Sequence, residues 1–395
     1  MTNRIKSIIL SFALAAICLT ASAQKKTKIK ADTLVNFTVT EAPEWTDMFY
    51  RDNGWFGADG IFEMTLKGNE TIGAGAKDSV LMYFSDTMTG HVKGNTVENF
   101  KMINNSFAWV TGLKPSAKTV NIFYNIGKQG EPINYVNPQT PNSLPDEYYW
   151  FGDGFVNQED GNSINIFGYR TFDRSHASWD FELRGVTLIT IPANKSLEHQ
   201  SQIDLPLFIN KEGAKGTFGA AVYVNTTAAG APNPDGYLYI YGVLDPNKQL
   251  VVARVRPKYV RDASAWRFWN GTEWDEKIEN VKPVTDRVSN ELSLTPLKDG
   301  RYLLVFQADG IGNHTAVRIA STPVGPFGPL QNIRKVPELA EPPGIIPYNA
   351  KAHPVLSYRN RLLISYNTIS ADYFNDILKY PHMYRPRFFW LEIND

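Results

Sequence analysis

The chain has 395 residues, is 13% aromatic, and carries 40 basic against 40 acidic side chains, so its formal net charge is zero. That balance excludes the broad electrostatic attraction that draws proteins to nucleic acid or anionic lipid. The single cysteine, Cys18, lies in a leader segment, which leaves the remainder without disulfides, thiolate metal sites or a cysteine nucleophile.

Arg4 and Lys6 precede an apolar run from Ile8 to Leu19 that ends in Ala21-Ser22-Ala23. Charge, apolar core and small-residue site in that order are the pattern of a secretory signal peptide, here residues 1–23 with cleavage before Gln24. The run is about 12 residues, short of the roughly 20 needed for a membrane-spanning helix. Ile17 is bulkier than the small residue that precedes a lipidated cysteine, so Cys18 reads as part of the apolar core. An exported protein of the periplasm or cell surface is expected. Residues 24–44 form a leader: Gln24 to Lys30 hold four lysines and read as solvated, while Leu34-Val-Asn-Phe-Thr-Val reads as a strand.

From Trp45 onward the apolar segments are short, rich in Tyr, Phe, Val and Ile, and bounded by Gly, Pro, Asn or Asp, the signature of strands. Ser370 to Leu378 has room for a helical turn or two, and no long amphipathic helix is evident. A two-strand pattern recurs five times. Its second strands read Leu81-Met-Tyr-Phe-Ser, Ile164-Asn-Ile-Phe-Gly, Leu238-Tyr-Ile-Tyr-Gly, Leu303-Leu-Val-Phe-Gln and Leu362-Leu-Ile-Ser-Tyr. Before them stand Gly57-Ala-Asp-Gly-Ile-Phe-Glu-Met, Phe151-Gly-Asp-Gly-Phe-Val, Phe218-Gly-Ala-Ala-Val-Tyr-Val, Asn290-Glu-Leu-Ser-Leu and Asn349-Ala-Lys-Ala-His-Pro-Val-Leu. Equivalent positions Phe84, Phe167, Tyr241, Phe306 and Ser365 are 83, 74, 65 and 59 residues apart. Such spacing holds four strands plus loops, the content of a propeller blade. Third strands are expected at hairpin distance, in Ser106 to Val110, Val186 to Ile191, Leu250 to Val255 and Thr315 to Ala320. The last segment, Arg387-Phe-Phe-Trp-Leu-Glu-Ile, and the Leu34 strand can share a blade, which closes the ring and protects edges an open sheet exposes. The expected fold is all-β, a single five-bladed β-propeller over residues 45–395. A pair of β-sandwiches leaves the fivefold pattern unexplained.

In a propeller the first strand of each blade lines the central channel, so residues distant in sequence converge at one mouth. The five first strands carry Asp59, then Asp153, a featureless Gly219-Ala220, Glu291, and the group Asn349, Lys351 and His353. Carboxylates and a histidine beside glycines point to a polar pocket rather than a packed core. Asp59 and Asp86 stand at the ends of neighbouring strands of the first unit and form the candidate catalytic pair. Two carboxyls flanking a bond suit glycosidic cleavage: one protonates the leaving oxygen while the other attacks or activates water. Asp-Gly and Asp-Thr are also common turn dipeptides, so either aspartate taken alone reads equally well as a turn former. Trp55 and Trp150, each just upstream of a first-strand aspartate, are candidates to stack on sugar rings. The other aromatics read as blade packing.

His91, His176, His199, His314, His353 and His382 show no close ligand spacing, so no zinc site is signalled. Motifs for an organic cofactor are absent. A calcium ion held in the channel by carbonyls and carboxylates would leave no spacing to read.

Trp55-Phe-Gly-Ala-Asp-Gly, Tyr83-Phe-Ser-Asp-Thr-Met-Thr-Gly, Asn104-Asn-Ser-Phe-Ala, Tyr149-Trp-Phe-Gly-Asp-Gly, Tyr239-Ile-Tyr-Gly-Val, Ala253-Arg-Val, Trp266-Arg-Phe-Trp-Asn-Gly, Gly325-Pro-Phe and Tyr348-Asn-Ala-Lys-Ala-His-Pro together resemble a family of secreted bacterial five-bladed propellers. Some members of that wider group are endo-acting D-arabinan hydrolases, and many have no known activity. The resemblance spans about Trp55 to Asn367. It implies catalytic roles for the acidic residues of the first two motifs, which match Asp59 and Asp86. The chain departs from the pattern in a longer segment from Lys67 to Asp78 and in Ala58, which replaces a second glycine.

These readings combine into a glycoside hydrolase acting on a polysaccharide. Its substrate contacts are expected among Trp55, Asn105, Trp150, Asp153, Arg254, Glu291, Lys351 and His353, with Asp153 and Glu291 also tuning protonation. The partner is a poly- or oligosaccharide, with no nucleic acid and no membrane span. The rival is a non-catalytic carbohydrate-binding propeller of a polysaccharide-utilisation system, which keeps the aromatic rim but does not need two carboxyls within reach of one bond. A protein-binding scaffold would need a large exposed apolar patch, and no run in the sequence supplies one.

Overall fold

The computed structural model describes residues 33–394 except 35, 176–178, 338–343 and 359. The expected signal peptide, the lysine-rich segment and His176 lie outside the described residues. Among these residues the chain is nearly all β, with two one-turn helices, α1 (Pro43–Thr46) and α2 (Tyr373–Asp376), and short 3-10 turns.

Strands β1 (Phe37–Glu41) and β2 (Asn53–Ala58) precede the first main sheet. That sheet opens with β3 (Phe62–Thr65) and β4 (Ser79–Phe84). The chain then leaves it for a hairpin, β5 (Thr87–Lys93) and β6 (Thr96–Ile103), which pairs with β2, and returns in β7 (Ser106–Thr111) and β8 (Val120–Phe123). A minor hairpin follows, β9 (Asn125–Ile126) and β10 (Pro132–Ile133). The second main sheet is β11 (Tyr148–Asn157), β12 (Ser163–Asp173), β13 (Phe181–Ile191) and β14 (Ser201–Leu205). The third is β15 (Phe208–Lys211), β16 (Ala214–Asn225), β17 (Tyr237–Asp245), β18 (Gln249–Val255), β19 (Arg267–Trp269) and β20 (Trp274–Asp275). The fourth is β21 (Leu292–Pro296), β22 (Tyr302–Gln307), β23 (His314–Ala320) and β24 (Gln331–Lys335). The fifth is β25 (Ile345–Ala352), β26 (Arg361–Ser370) and β27 (Arg387–Ile393), completed by β1 with Phe37 opposite Ile393 and Glu41 opposite Phe389. The two ends of the described chain therefore share one sheet.

Neighbouring strands within each sheet run antiparallel, and the recurring second strands, β4, β12, β17, β22 and β26, are interior to their sheets. They read as unbroken apolar runs because both faces are covered. β4 is buried from Val80 to Phe84, and β22 is buried throughout. An apolar layer fills the space between each successive pair of sheets. Phe62, Tyr83, Phe107 and Phe151 belong to the layer between the first and second sheets. Other layers join the second to the third, the third to the fourth and the fourth to the fifth. A further layer, with Trp55, Phe84, Leu363 and Phe388, joins the fifth sheet back to the first. The first strands β3, β11, β16, β21 and β25 touch in that order, and the turn after β25, Pro354–Leu356, meets β3.

Two expectations need correction. Gly57 to Met64 is not one strand: Gly57 and Ala58 end β2 in a separate three-stranded sheet, and Asp59 occupies the corner before β3. The third strand of the first unit is also not at hairpin distance, because β5 and β6 intervene between β4 and β7.

Candidate active site

Asp59 and Asp86 are neighbours through their backbones. The Asp59 N–H donates to the Asp86 carbonyl at 3.1 Å, and the Ser85 N–H donates to the Asp59 carbonyl at 2.9 Å. Gly60 makes the corner possible: its φ is +63°, and a Cβ there would stand 2.5 Å from Ser85 Oγ and 3.0 Å from Ser85 N. Ser85 Oγ also accepts from the Phe151 N–H at 2.8 Å, which fixes the corner to β11.

The two carboxyls have different partners. Tyr348, near the start of β25, donates its hydroxyl to Asp59 Oδ2 at 2.9 Å. Asp86 Oδ1 accepts from Asn104 Nδ2 and from Trp150 Nε1, each at 2.9 Å. Burial raises the Asp59 pKa well above the ordinary carboxyl range, with added repulsion from Asp86 and Glu291; the hydroxyls of Tyr384 and Tyr348 oppose the rise. Burial also raises Asp86, to about 6. Asn104 and Trp150 temper that shift, and Asp173 adds to it. Burial thus favours the protonated form of both carboxyls, and the hydrogen bonds from Asn104 and Trp150 favour the ionised form of Asp86.

Deeper along the first strands lies a second polar group. Glu291 precedes β21; its Oε1 accepts from Asn349 Nδ2 at 2.8 Å and its Oε2 from Lys351 Nζ at 2.9 Å. Lys351 is 3% exposed and sits over the Phe62 ring. Burial lowers its pKa, an effect opposed by Glu291, Asp153 and Glu63. Asp153 occupies a bulge in β11, between Phe151 and Gly154. Its Oδ1 accepts from the Gly154 N–H at 2.8 Å and its Oδ2 from the Val222 N–H at 2.7 Å, so it clamps β11 to β16. Burial lifts Asp153 to about 7 against the pull of Lys351 and these two N–H groups.

Four candidate contacts are placed elsewhere. Trp55 is 2% exposed, packs on Phe49 and Phe84, and donates to Ser106 Oγ at 3.2 Å. Asn105 is fully buried and bonds both backbone groups of Val136 at 2.8 Å. Arg254, on β18, lies between the rings of Tyr237 and Trp274, 4.1 and 4.2 Å from their centroids. His353 is wholly enclosed, bonded through Nδ1 to Glu63 and through Nε2 to Ser365 Oγ at 2.6 Å, with burial holding its pKa well below the usual range. Trp55, Asn105 and His353 are buried with their polar atoms bonded inside the protein, whereas Arg254 is half-buried. Trp150, Asp153, Glu291 and Lys351 do lie on the polar tract that starts at Asp59 and Asp86.

Sequence reasoning missed Asn104, Tyr348, Tyr384 and Asp173. Asn104 and Tyr348 each stand one residue from a candidate position, Asn105 and Asn349.

A cavity of about 460 Å³ opens around the far ends of the first strands. Asp153, Glu63 and Lys351 line it, whereas Asp59 and Asp86 do not. Among the described residues no group of three His, Cys, Asp or Glu side chains is placed to hold a metal ion, and no helix is long and apolar enough to cross a membrane.

Residues 43–393 match the model of the family described as Domain of unknown function (DUF5005), and the chain belongs to that family. No curated protein matches it significantly in sequence. Its fold is similar to that of a candidate hydrolase from Bacteroides ovatus, with TM-score 0.68 and 18% identity over 90% of each chain. Weaker likeness extends to an exo-β-1,3-galactanase from Phanerochaete chrysosporium, with TM-score 0.45 and 12% identity over 90% of this chain and 64% of that one. An α-L-arabinofuranosidase from Podospora anserina matches with TM-score 0.42 and 9% identity over 87% of this chain and 98% of that one.

Proposed function

We propose that this member of the DUF5005 family is an exported five-bladed β-propeller that hydrolyses a glycosidic bond in a polysaccharide, with furanose-containing polymers the first to try. The five sheets, joined by five apolar layers and by a sheet shared between the chain ends, support the propeller reading. The observation that carries the hydrolytic reading is the pair of mutually bonded backbone corners at Asp59 and Asp86, whose carboxyls meet different partners, Tyr348 on Asp59 and Asn104 with Trp150 on Asp86.

Asp59, kept protonated by burial and by two neighbouring carboxylates, donates its proton to the leaving glycosidic oxygen. Asp86, whose negative charge is held by Asn104 and Trp150, either accepts a proton from attacking water or attacks the anomeric carbon itself. Carboxyl groups about 5–5.5 Å apart favour attack and retention; a separation of about 6.5–9.5 Å favours activated water and inversion. Phe181 packs edge to face on Trp150, 4.6 Å between centroids, and would offer an apolar ring to a sugar beside the residue that bonds Asp86. Phe181 is 38% exposed.

The test is release of new reducing ends from a panel of furanose- and pyranose-containing polysaccharides. Asp59→Asn and Asp86→Asn are each expected to lower turnover by roughly 10²–10⁴-fold with the fold intact. Activity should follow a bell in pH, falling on the acid side as Asp86 protonates near 6 and on the alkaline side as Asp59 loses its proton. Silence across the panel, together with measurable glycan binding that survives Asp59→Asn, would favour the carbohydrate-binding reading, for which the exposed Phe181 speaks.

A further inference from the structure

The tract of first strands has two ends, and they differ in chemistry. Asp59 precedes β3, while Trp150 and Tyr348 lie near the starts of β11 and β25. The cavity instead takes in residues toward and beyond the far ends: Glu70 after β3, Ala229 to Pro232 after β16, Lys298 after β21 and Pro354 after β25. Its walls are largely apolar, with Ile72, Val224, Leu292, Leu294 and Pro296 among them. A few hundred Å³ of apolar wall with a small set of convergent polar groups is the build of a small-molecule site.

The cavity holds more acidic than basic groups. Glu63, Glu70 and Asp153 line it with Lys351, which already bonds to Glu291, and Lys298, whose Nζ donates to Asn360. Among the described residues the hydrogen-bond partners of Asp153 are backbone N–H groups, and Glu63 is turned to His353. Glu70 has a fully buried Oε1 that no donor reaches among the described residues. An acceptor left bare in this way is costly unless something fills the role of donor.

We infer that this cavity, whose lining does not include Asp59 or Asp86, is a second binding site that takes a small organic cation, a protonated amine on an apolar body, with the ammonium group on Glu70 and Asp153. The carboxyls are too dispersed to chelate one metal ion, since no three of them form a ligand group. An ammonium group bonded to Glu70 and trailing its apolar body along the walls matches both the bare acceptor and the lining.

Protonation supplies a signature. Burial raises Glu70 to about 8, with Asp153 and Glu63 adding repulsion, and Asp153 to about 7, where Lys351 opposes and Glu63 adds. A bound cation favours both carboxylates, so binding near pH 7 expels protons.

Benzylamine is a suitable probe, titrated into the full chain by calorimetry in two buffers of different ionisation heat. One saturable site with proton release is expected at pH 7, tightening at least tenfold from pH 6 to pH 8. Benzyl alcohol, neutral and of the same shape, should bind at least tenfold more weakly. Glu70→Gln should weaken benzylamine at least tenfold while melting no lower than the parent, Leu294→Trp should fill the cavity and abolish binding, and Asp59→Asn should leave it unchanged. Equal binding of amine and alcohol, unaltered binding in Glu70→Gln, occupation by calcium chloride in place of the amine, or no saturable heat at millimolar benzylamine would each overturn the assignment. Because Asp59→Asn spares this site, failure here is separable from failure of the hydrolytic reading.

Discussion

Trp150 makes two contacts at once: its ring packs edge to face with Phe181, and its Nε1 donates to Asp86 and favours the ionised carboxylate. Hydrogen bonds to a charged group contribute about 1.5–3 kcal/mol, and one pH unit corresponds to about 1.4 kcal/mol. Trp150→Phe keeps an aromatic surface and deletes the donor. The Asp86 pKa should then rise from about 6, and the acid limb of the activity profile should move upward by about one pH unit or more. An unmoved limb would mean that Asp86 is not the group titrating there. Glu70 makes a complementary case for stability. Its folded pKa of about 8 exceeds the ordinary carboxyl value, so the folded protein holds this proton more tightly than the unfolded chain. The stabilisation from that proton is complete below the ordinary carboxyl range and is lost as pH rises toward 8. Glu70→Gln removes the penalty of the buried charge. It should raise the melting temperature at pH 9, with a gain of about 2–4 kcal/mol, and change little at pH 5. A variant that melts identically to the parent at both values would show that Glu70 is solvated.

At the scale of the element, the corner between β2 and β3 governs the site. Gly60 at φ +63° lies in the left-handed region, and a Cβ there would collide with Ser85. Gly60→Ala is expected to cost about 2–4 kcal/mol, combining left-handed strain with the clash. It should lower turnover more than Asn104→Ala does, because it moves the backbone of both aspartates at once; thermal melts beside rate measurements check both effects. The strands that the sequence makes plain are those with both faces covered, such as β4 and β22, where apolar residues run without a break. The β5–β6 hairpin was hidden for the opposite reason: Thr96–Ile103 is mostly exposed or half-buried, so its residues carry little apolar signal. Trp55 enters the layer between the first and fifth sheets although its motif flanks the site, and in the turn between β6 and β7 it is Asn104 rather than Asn105 that reaches Asp86. Tyr384 arrives from a 3-10 turn at Pro381–Tyr384, and its carbonyl would lie only 2.7 Å from a Cβ on Gly57. A contact spanning more than three hundred residues leaves no local pattern to read.

Over the whole molecule, stability depends on how the described chain closes on itself. β1 supplies the outer strand of the fifth sheet, with five residues in register against β27. The same segment is fastened to the fourth sheet: Arg334 Nη2 donates to both Glu41 carboxylate oxygens at 2.9 Å, the Leu34 N–H donates to Gln331 Oε1 at 2.8 Å, and Arg301 Nη1 donates to the Thr33 carbonyl at 3.0 Å. Leu34 is 4% exposed and completes the apolar layer between those sheets. Without residues 33–41 the β27 edge would lose its partner, and Arg334, which lies over Tyr366 and Phe389, would lose its carboxylate. Net values of about 0.5–1.5 kcal/mol per hydrogen bond and about 1.5–3 kcal/mol for a buried leucine put the loss at roughly 5 kcal/mol or more. A chain beginning at Ala42 should therefore melt well below one beginning at Gln24, and its bare edge should make it associate at high concentration. Glu41→Ala tests the fastening alone and should cost at most about 1 kcal/mol, since that carboxylate is solvent-exposed. If the chain beginning at Ala42 melts like its parent and does not associate, the pairing of β1 with β27 contributes nothing to stability, and the five-sheet arrangement must be held by the apolar layers alone.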